Sequence, residues 1–156
     1  MTLDELRGIC HALAGAGVEY VLIGGAALNV HGIVRATEDI DLMVRPDADN
    51  IGRLRNALHR LWDDPSIDEI TADDLLGDYP VVRYAPPGGE LYLDIVARLG
   101  DAWAFDDIER QRVNIAGMDV YVAAPASLYQ MKKDTVRSLD KSDAQALRVK
   151  FKLDEQ

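Results

Sequence analysis

The chain has 156 residues, of which 48% are hydrophobic and 28% are charged. This composition is that of a soluble globular protein, and the length predicts one domain, residues 1–156, with a substantial core. No apolar run approaches the roughly 18 residues of a membrane span, and the N-terminus lacks a secretory signal, so we expect a cytoplasmic protein with no membrane partner. The single cysteine, Cys10, excludes an internal disulfide, and its apolar neighbours predict a core position.

The net charge of −10 is unevenly distributed along the chain. Residues 1–124, the predicted core, carry 10 basic and 22 acidic side chains, whereas the predicted helical tail, 125–156, carries 7 and 5 and holds all five lysines. The overall acidity argues against broad, nonspecific binding of nucleic acid. RNA binding is not excluded, because the basic residues of the tail could form a local positively charged strip. The alternative is that they lie on a solvated helix face and bind nothing.

The sequence predicts alternating helices and strands. Those of the N-terminal half are a helix over about 3–16 opened by a Thr2–Glu5 capping box, a strand over 19–23, a helix from Gly24-Gly25 to about His31, a loop over 32–38, a strand over 39–44, and a helix starting at Pro46-Asp47. Residues 63–79 hold seven acidic side chains and predict loops with one short helix.

The C-terminal half continues the pattern. Its predicted elements are strands over 81–84 and 91–96 joined by a Pro-Pro-Gly-Gly turn, a helical or irregular stretch over 101–109, short strands over 113–115 and 119–122 with Gly117 and Met118 at their turn, a helix from Pro125 to about Val136, and a helix capped by Ser142 and ending near Phe151. This order predicts an α/β (α+β) domain with a mixed β-sheet and helices packed mainly on one face.

Two carboxylates in an otherwise apolar strand indicate a metal site. Asp39 and Asp41 are two residues apart, so both project from one face of the strand, while Ile40, Leu42 and Val44 face the core. Like charges side by side repel, and a divalent cation such as Mg²⁺ or Mn²⁺ would relieve the repulsion. A solvated strand edge or a turn is the alternative for an isolated Asp-x-Asp.

The surrounding residues favour the metal site. Asp94 lies within a second apolar strand and supplies a third carboxylate, as a two-metal phosphoryl-transfer site requires. The Gly24-Gly25 pair lets backbone N–H groups approach a phosphate closely at the start of a helix, although a tight strand-to-helix turn without a ligand is the alternative.

The order of these motifs, a Gly-Gly pair, then Asp-x-Asp, then a third aspartate on a strand, resembles the signature of the nucleotidyltransferase superfamily related to DNA polymerase beta. The segment from Gly24 to Asp41 resembles the bacterial branch that includes AbiEii-type toxins and small nucleotidyltransferases of toxin–antitoxin operons. The C-terminal segment is similar to that branch's helical tail, in which a Leu-x-x-x-Lys helix precedes Arg-Pro-Lys-Asp-x-x-Asp. This chain has Ser138 and Leu139 where the branch has Pro and Lys.

The resemblance implies nucleotidyl transfer, in which an acceptor hydroxyl attacks the α-phosphorus of a nucleoside triphosphate such as ATP. Asp39 and Asp41 would hold the ion bound to the triphosphate, and Asp94 would share a second ion and help to deprotonate the acceptor. The implied nucleotide-binding residues are Gly24, Gly25, Arg35, Thr37 and Lys132. Asp140 and Asp143 are interpreted as surface charges on a helix, with support of the site as the alternative. His31 is interpreted as a loop-packing residue, with substrate contact as the alternative.

Three functions are consistent with these features. The first is a nucleotidyltransferase acting on RNA, such as tRNA, or on protein in a toxin–antitoxin context, with an antitoxin or a second chain as partner. The second is an enzyme that modifies a small hydroxylated molecule. The acidic residues of 63–79 would suit a cationic acceptor of this kind, such as an aminoglycoside. The third is a non-enzymatic regulatory protein with the same fold, which the intact carboxylate trio disfavours.

Overall fold

A computed structural model describes residues 1–37, 39–133 and 137–153 of the chain. The helices are α1 (Leu3–Ala16), α2 (Gly24–Val30), α3 (Ala48–Leu61), α4 (Ala72–Leu76), α5 (Pro125–Lys132) and α6 (Ser138–Phe151). The strands are β1 (Tyr20–Ile23), β2 (Asp39–Val44), β3 (Val81–Tyr84), β4 (Tyr92–Val96), β5 (Arg98–Leu99), β6 (Trp103–Ala104), β7 (Arg110–Ile115) and β8 (Met118–Ala123). Short 3₁₀ turns cover Pro65–Glu69 and Phe105–Asp107.

Six of the described strands form one mixed sheet in the order β3-β4-β2-β1-β8-β7. β2 lies at its centre, antiparallel to β1 and parallel to β4, while β3–β4 and β7–β8 are antiparallel pairs. Ile40, Leu42 and Val44 of β2 are fully buried, as the alternation predicted. The mixed α/β architecture predicted from the sequence is therefore confirmed.

Local signals explain how the first helix begins and ends. Glu5 N donates to Thr2 Oγ1 at 3.1 Å, and Thr2 N donates to Glu5 Oε1 at 2.9 Å, which is the predicted capping box. Gly17 ends the helix in the left-handed conformation with φ of 72°. Cys10 on this helix is fully buried, and burial raises the pKa of its thiol to about 11, as expected for a core cysteine.

Some predicted bounds were wrong. Ser142 does not cap the last helix, because α6 begins four residues earlier, after Arg137, whose side chain makes no capping hydrogen bond. Met118 is the first residue of β8 rather than part of the turn, and β7 and β8 are each six residues long. The hairpin of β5 and β6 was not predicted. The loop position Glu38 and the predicted helix end at Val136 lie outside the described residues.

None of the helices in the described part of the chain has both the length and the apolar composition needed to cross a membrane. The division into a core of about 1–124 and a tail of 125–156 stays a prediction.

Candidate active site

The three predicted carboxylates lie on two neighbouring parallel strands. The register of β2 and β4 places Asp41 beside Asp94 and Asp39 beside Tyr92. Asp39 and Asp41 share a face of the sheet because they are two residues apart on one strand. Asp39, Asp41 and Asp94 also line one cavity, so the fold brings together the acidic residues that the sequence predicted.

Asp41 is the carboxylate most affected by this crowding. Burial, followed by the negative charges of Asp94 and Asp39, raises the pKa of Asp41 to about 7, and Lys132 opposes this shift only weakly. A carboxylate surrounded in this way is stabilised by any cation that comes between it and its neighbours. The local electrostatics therefore fit a cation-binding site.

Arg83 on β3 is a site residue that the sequence analysis missed. Its Nε and Nη2 donate to the two carboxylate oxygens of Asp94 at 2.8 and 3.0 Å, and Nη2 also donates to Asp39 Oδ2 at 3.1 Å. These carboxylates raise the already high pKa of the guanidinium. The signal for Arg83 was the register of the β3–β4 hairpin, which places Arg83 directly beside Asp94.

Arg83 also affects the arrangement of the possible metal ligands. Across residues 1–37, 39–133 and 137–153, no three histidine, cysteine or acidic side chains are already grouped so as to hold a metal ion. Asp94 and Asp39 instead bind the Arg83 guanidinium. Arg83 thus supplies a protein cation beside the carboxylates.

Both glycines of the Gly24-Gly25 pair lie against other site residues. Gly24 has a left-handed φ of 68°, and a Cβ there would collide with Asp41 Oδ2. A Cβ on Gly25 would collide with Arg35 Nη1 and lie 2.9 Å from Thr37 Oγ1. The left-handed backbone favours glycine at Gly24, and a side chain at Gly25 would displace the Arg35 guanidinium and crowd Thr37.

Arg35 and Thr37, two of the predicted nucleotide-binding residues, lie beside this glycine pair. The Thr37 hydroxyl donates to the backbone oxygen of Asp39 at 3.0 Å, which links the loop to the start of β2. Arg35 Nε is buried and has no hydrogen-bond partner within the described residues, although it lies 3.3 Å from Asp143 Oδ1. Because Nε faces Asp143, an anionic ligand would meet the Nη atoms of Arg35, of which Nη1 lies beside Gly25.

Lys132 is held by two acidic residues of the last helix. Its Nζ donates to Asp140 Oδ1 at 3.1 Å and to Asp143 Oδ2 at 3.0 Å, and the Lys132 side chain is only 12% exposed. The prediction that Asp140 and Asp143 are surface charges was wrong: their side chains are 13% and 6% exposed. Asp143 contacts both Lys132 and Arg35, so this buried cluster connects α5, α6 and the loop before β2.

Two cavities meet at the carboxylates. The first, which we call the polar cavity, has a volume of about 460 Å³ and includes Gly25, Arg35, Thr37 and Asp39 in its lining. The second, which we call the apolar cavity, has a volume of about 720 Å³. The two cavities share Gly24, Asp41, Arg83, Asp94, Lys132, Arg137 and Asp140. The arrangement provides an end that contains Arg35, a carboxylate centre and an apolar end.

Other candidate residues lie away from these cavities. The acidic stretch 63–79 lines neither cavity, and its Asp64 and Asp68 bond to Tyr84 and His59 instead. His31 Nε2 donates to the backbone oxygen of Ala123 at 2.8 Å and its ring packs edge-on against Phe151, as predicted for a packing residue.

Residues 9–137 match the family of nucleotidyl transferase AbiEii toxins of type IV toxin–antitoxin systems. The chain belongs to this AbiEii family. The resemblance found in its sequence motifs is thereby confirmed, and the AbiEii protein is of the nucleotidyltransferase type. No curated protein sequence matches the chain significantly.

Solved structures with the same fold include nucleotidyltransferases. A candidate nucleotidyltransferase from Thermotoga maritima, TM1012, is 17% identical with a TM-score of 0.55, and the match covers 96% of this chain and 92% of that one. ANT(2")-Ia in complex with adenylyl-2"-tobramycin is 13% identical with a TM-score of 0.59, covering 95% and 88%. At these identities the similarity shows that the AbiEii protein has the nucleotidyltransferase fold, and no more.

Proposed function

We propose that this AbiEii protein transfers a nucleoside monophosphate from a nucleoside triphosphate to an acceptor hydroxyl on RNA or protein. The observation that carries the proposal is the convergence of Asp39, Asp41 and Asp94 beside a polar cavity that contains Arg35. Carboxylates suit divalent cations, and a buried guanidinium suits phosphate. The two halves of a triphosphate site are therefore adjacent.

The carboxylates fit a divalent cation because their charges are crowded, as the raised pKa of Asp41 indicates. Asp39, Asp41 and Asp94 would hold Mg²⁺ or Mn²⁺. When bound, the cation would offset charge on the triphosphate and favour ionisation of the attacking hydroxyl. Arg83 must release at least one carboxylate for this set to become available, since it now bonds to Asp94 and Asp39.

The remaining residues position the substrate. The Gly24-Gly25 backbone and Arg35 would bind the terminal phosphates, with Thr37 holding the loop against β2. Lys132 contributes positive charge to both cavity walls, and Asp140 and Asp143 fix its position. Asp94 would accept the proton of the attacking oxygen as that oxygen bonds to the α-phosphorus and pyrophosphate leaves. Catalysis would come from positioning and charge neutralisation.

An acceptor of the aminoglycoside class has less support. The acidic stretch 63–79, which suggested a cationic acceptor, lines neither cavity. An RNA or protein hydroxyl requires no such acidic wall. Membership of a toxin–antitoxin family suggests an antitoxin as partner, and a second chain is the alternative.

The proposal is tested by following transfer of label from α-labelled ATP, CTP, GTP and UTP to tRNA, total protein and aminoglycosides. We expect metal-dependent labelling of RNA or protein with at least one triphosphate. Labelling of aminoglycosides alone would establish the small-molecule alternative. Failure to label any acceptor, with no triphosphate binding by calorimetry, would favour the non-enzymatic alternative.

Replacing Gly25 with alanine is expected to weaken binding of the triphosphate roughly tenfold to a hundredfold, because the new methyl group collides with Arg35 Nη1 and crowds Thr37. Calorimetric titration of a nucleoside triphosphate with Mg²⁺ measures the change. Gly8→Ala in α1 is the matched control, since a Cβ added at Gly8 would meet no neighbouring atom within 4 Å, and it should bind like the wild type. Equal affinity of the two variants would contradict the assigned phosphate site.

Replacing Arg83 with glutamine is expected to lower the melting temperature in the presence of a chelator, because Asp39 and Asp94 lose the cation that separates them. Added Mn²⁺ should restore more stability to the variant than it adds to the wild type, since no guanidinium competes with it. Thermal unfolding with chelator and with Mn²⁺ measures both effects. Arg112→Gln is the control, because Arg112 pairs with Asp119 at 3.8 Å on the surface.

A further inference from the structure

The apolar cavity has walls that differ sharply from the catalytic centre it adjoins. Away from the shared charged residues, it is lined by the apolar side chains of Val81, Val96, Leu99, Trp103, Leu128 and Met131. They come from separate elements, the β3–β4 pair, the β5–β6 hairpin and α5, and Ile23 at the end of β1 completes the apolar lining. The cavity is therefore built by four parts of the fold, at the edge of the carboxylates.

Trp103 is the aromatic residue of this lining. It lies opposite Leu99 in the β5–β6 hairpin, and both side chains are half-buried. A half-buried indole beside an open cavity provides a flat apolar surface on which a planar ring can stack. A volume of about 720 Å³ is within the range of cavities that hold small organic ligands.

We propose that the apolar cavity binds a nucleobase, stacked on Trp103 and enclosed by the aliphatic side chains around it. The inference rests on the proposed function, because it uses the order of groups along the substrate. If the terminal phosphates lie in the polar cavity and the α-phosphorus lies at Asp41 and Asp94, the substrate groups beyond the α-phosphorus reach the apolar cavity.

The chemistry of the walls selects a base over a cationic group. Every charged residue that lines the apolar cavity also lines the polar cavity, and the other side chains of the apolar cavity are apolar. The apolar wall formed by these side chains offers no group that would pair with a cation, whereas a base has a π-face that stacks on an aromatic ring without sequence-specific hydrogen bonds. The base can belong to the triphosphate or to the last nucleotide of an RNA acceptor, and the shared chemistry is stacking on Trp103.

Fluorescence tests this inference directly, because the chain has two tryptophans. Trp62 packs against Tyr84 at a ring distance of 5.8 Å and is not part of the apolar cavity, so Trp62→Phe leaves Trp103 as the reporter. In this variant with Mg²⁺, saturable quenching by a nucleoside triphosphate beyond that by inorganic tripolyphosphate assigns the cavity to the donor base. Quenching by a dinucleoside monophosphate without triphosphate assigns it to the acceptor base. Absence of quenching by both ligands overturns the inference.

A calorimetric comparison separates this inference from the proposed function. Trp103→Ala should weaken binding of whichever base-containing ligand quenches the fluorescence by roughly 5- to 150-fold and leave binding of tripolyphosphate unchanged. Tyr79→Ala, which removes an aromatic side chain that is 87% exposed and outside the cavity, is the matched control. Unchanged nucleotide affinity in Trp103→Ala overturns the base site while the phosphate site stands. If the wild type binds neither tripolyphosphate nor a nucleoside triphosphate, the proposed function is overturned as well.

Discussion

Replacing Asp41 with asparagine is expected to reduce nucleotidyl transfer by about a thousandfold or more, while the metal-free protein becomes more stable at neutral pH. Activity falls because Asp41 lies beside Asp94, at the centre where both cavities meet. Stability rises because the amide removes a negative charge that burial and the neighbouring carboxylates disfavour. The opposite signs of the two effects distinguish a functional carboxylate from a structural one.

The stability effect has a defined pH window. The pKa of Asp41 is raised from 3.8 to about 7 in the folded protein, so between these values the folded state keeps a proton that the unfolded state has released. The free energy of unfolding therefore falls as the pH rises from about 4 to 7, and the penalty is constant above that range. At pH 8 with a chelator, Asp41→Asn should be more stable than the wild type, and near pH 4 the two should be similar.

Urea unfolding at both pH values, with a chelator present, measures this difference. Asp78→Asn is the matched control, because Asp78 is exposed and lines neither cavity. It should leave both the activity and the pH dependence unchanged. Wild-type activity in Asp41→Asn would refute the assigned centre, and a lower stability at pH 8 would refute the electrostatic explanation.

Replacing Asp143 with asparagine is expected to destabilise the protein by about 3 kcal/mol, because it leaves buried positive charge poorly compensated. The Asp143 side chain is 6% exposed and lies 3.0 Å from Lys132 Nζ and 3.3 Å from Arg35 Nε. Lys132 keeps its bond to Asp140, which limits the loss. Triphosphate binding should weaken too, since Asp143 positions both cations.

Urea unfolding gives the change in stability, provided that its slope with denaturant is unchanged. Asp4→Asn is the control, because it breaks an ion pair with Arg7 at 3.6 Å in which Asp4 is 92% exposed, and it should change stability by less than about 0.5 kcal/mol. Similar small effects of both substitutions would show that the buried cluster is not important for the fold.

Where the sequence pattern was local, it predicted the structure well. The alternation of Asp39, Ile40, Asp41 and Leu42 is a property of one strand, and it correctly assigned the acidic and buried faces of β2. The capping box and Gly17 likewise depend only on neighbouring residues. The grouping of Asp94 with this strand required only that β2 and β4 be adjacent, which the family resemblance implied.

The parts that were missed depend on contacts between distant residues. Arg83 looks like an ordinary exposed strand residue until the β3–β4 register places it beside Asp94. For Asp140 and Asp143 the sequence analysis preferred surface charge and kept support of the site as the alternative, although their spacing of three residues on one helix face was a usable signal. That signal was obscured because the predicted helix began at Ser142 and so excluded Asp140, whereas α6 begins at Ser138 without a capping side chain.

The ion pairs of Arg83 with Asp39 and Asp94 bear on how metal supply and folding are related. In zinc fingers and many other small metal-binding domains, loss of the metal unfolds the chain. Here a side chain of the protein serves as the counterion, so synthesis and folding need not wait for a divalent ion. Under the proposed metal-dependent function, metal shortage would leave the protein folded but inactive, and activity would return when the ion is supplied.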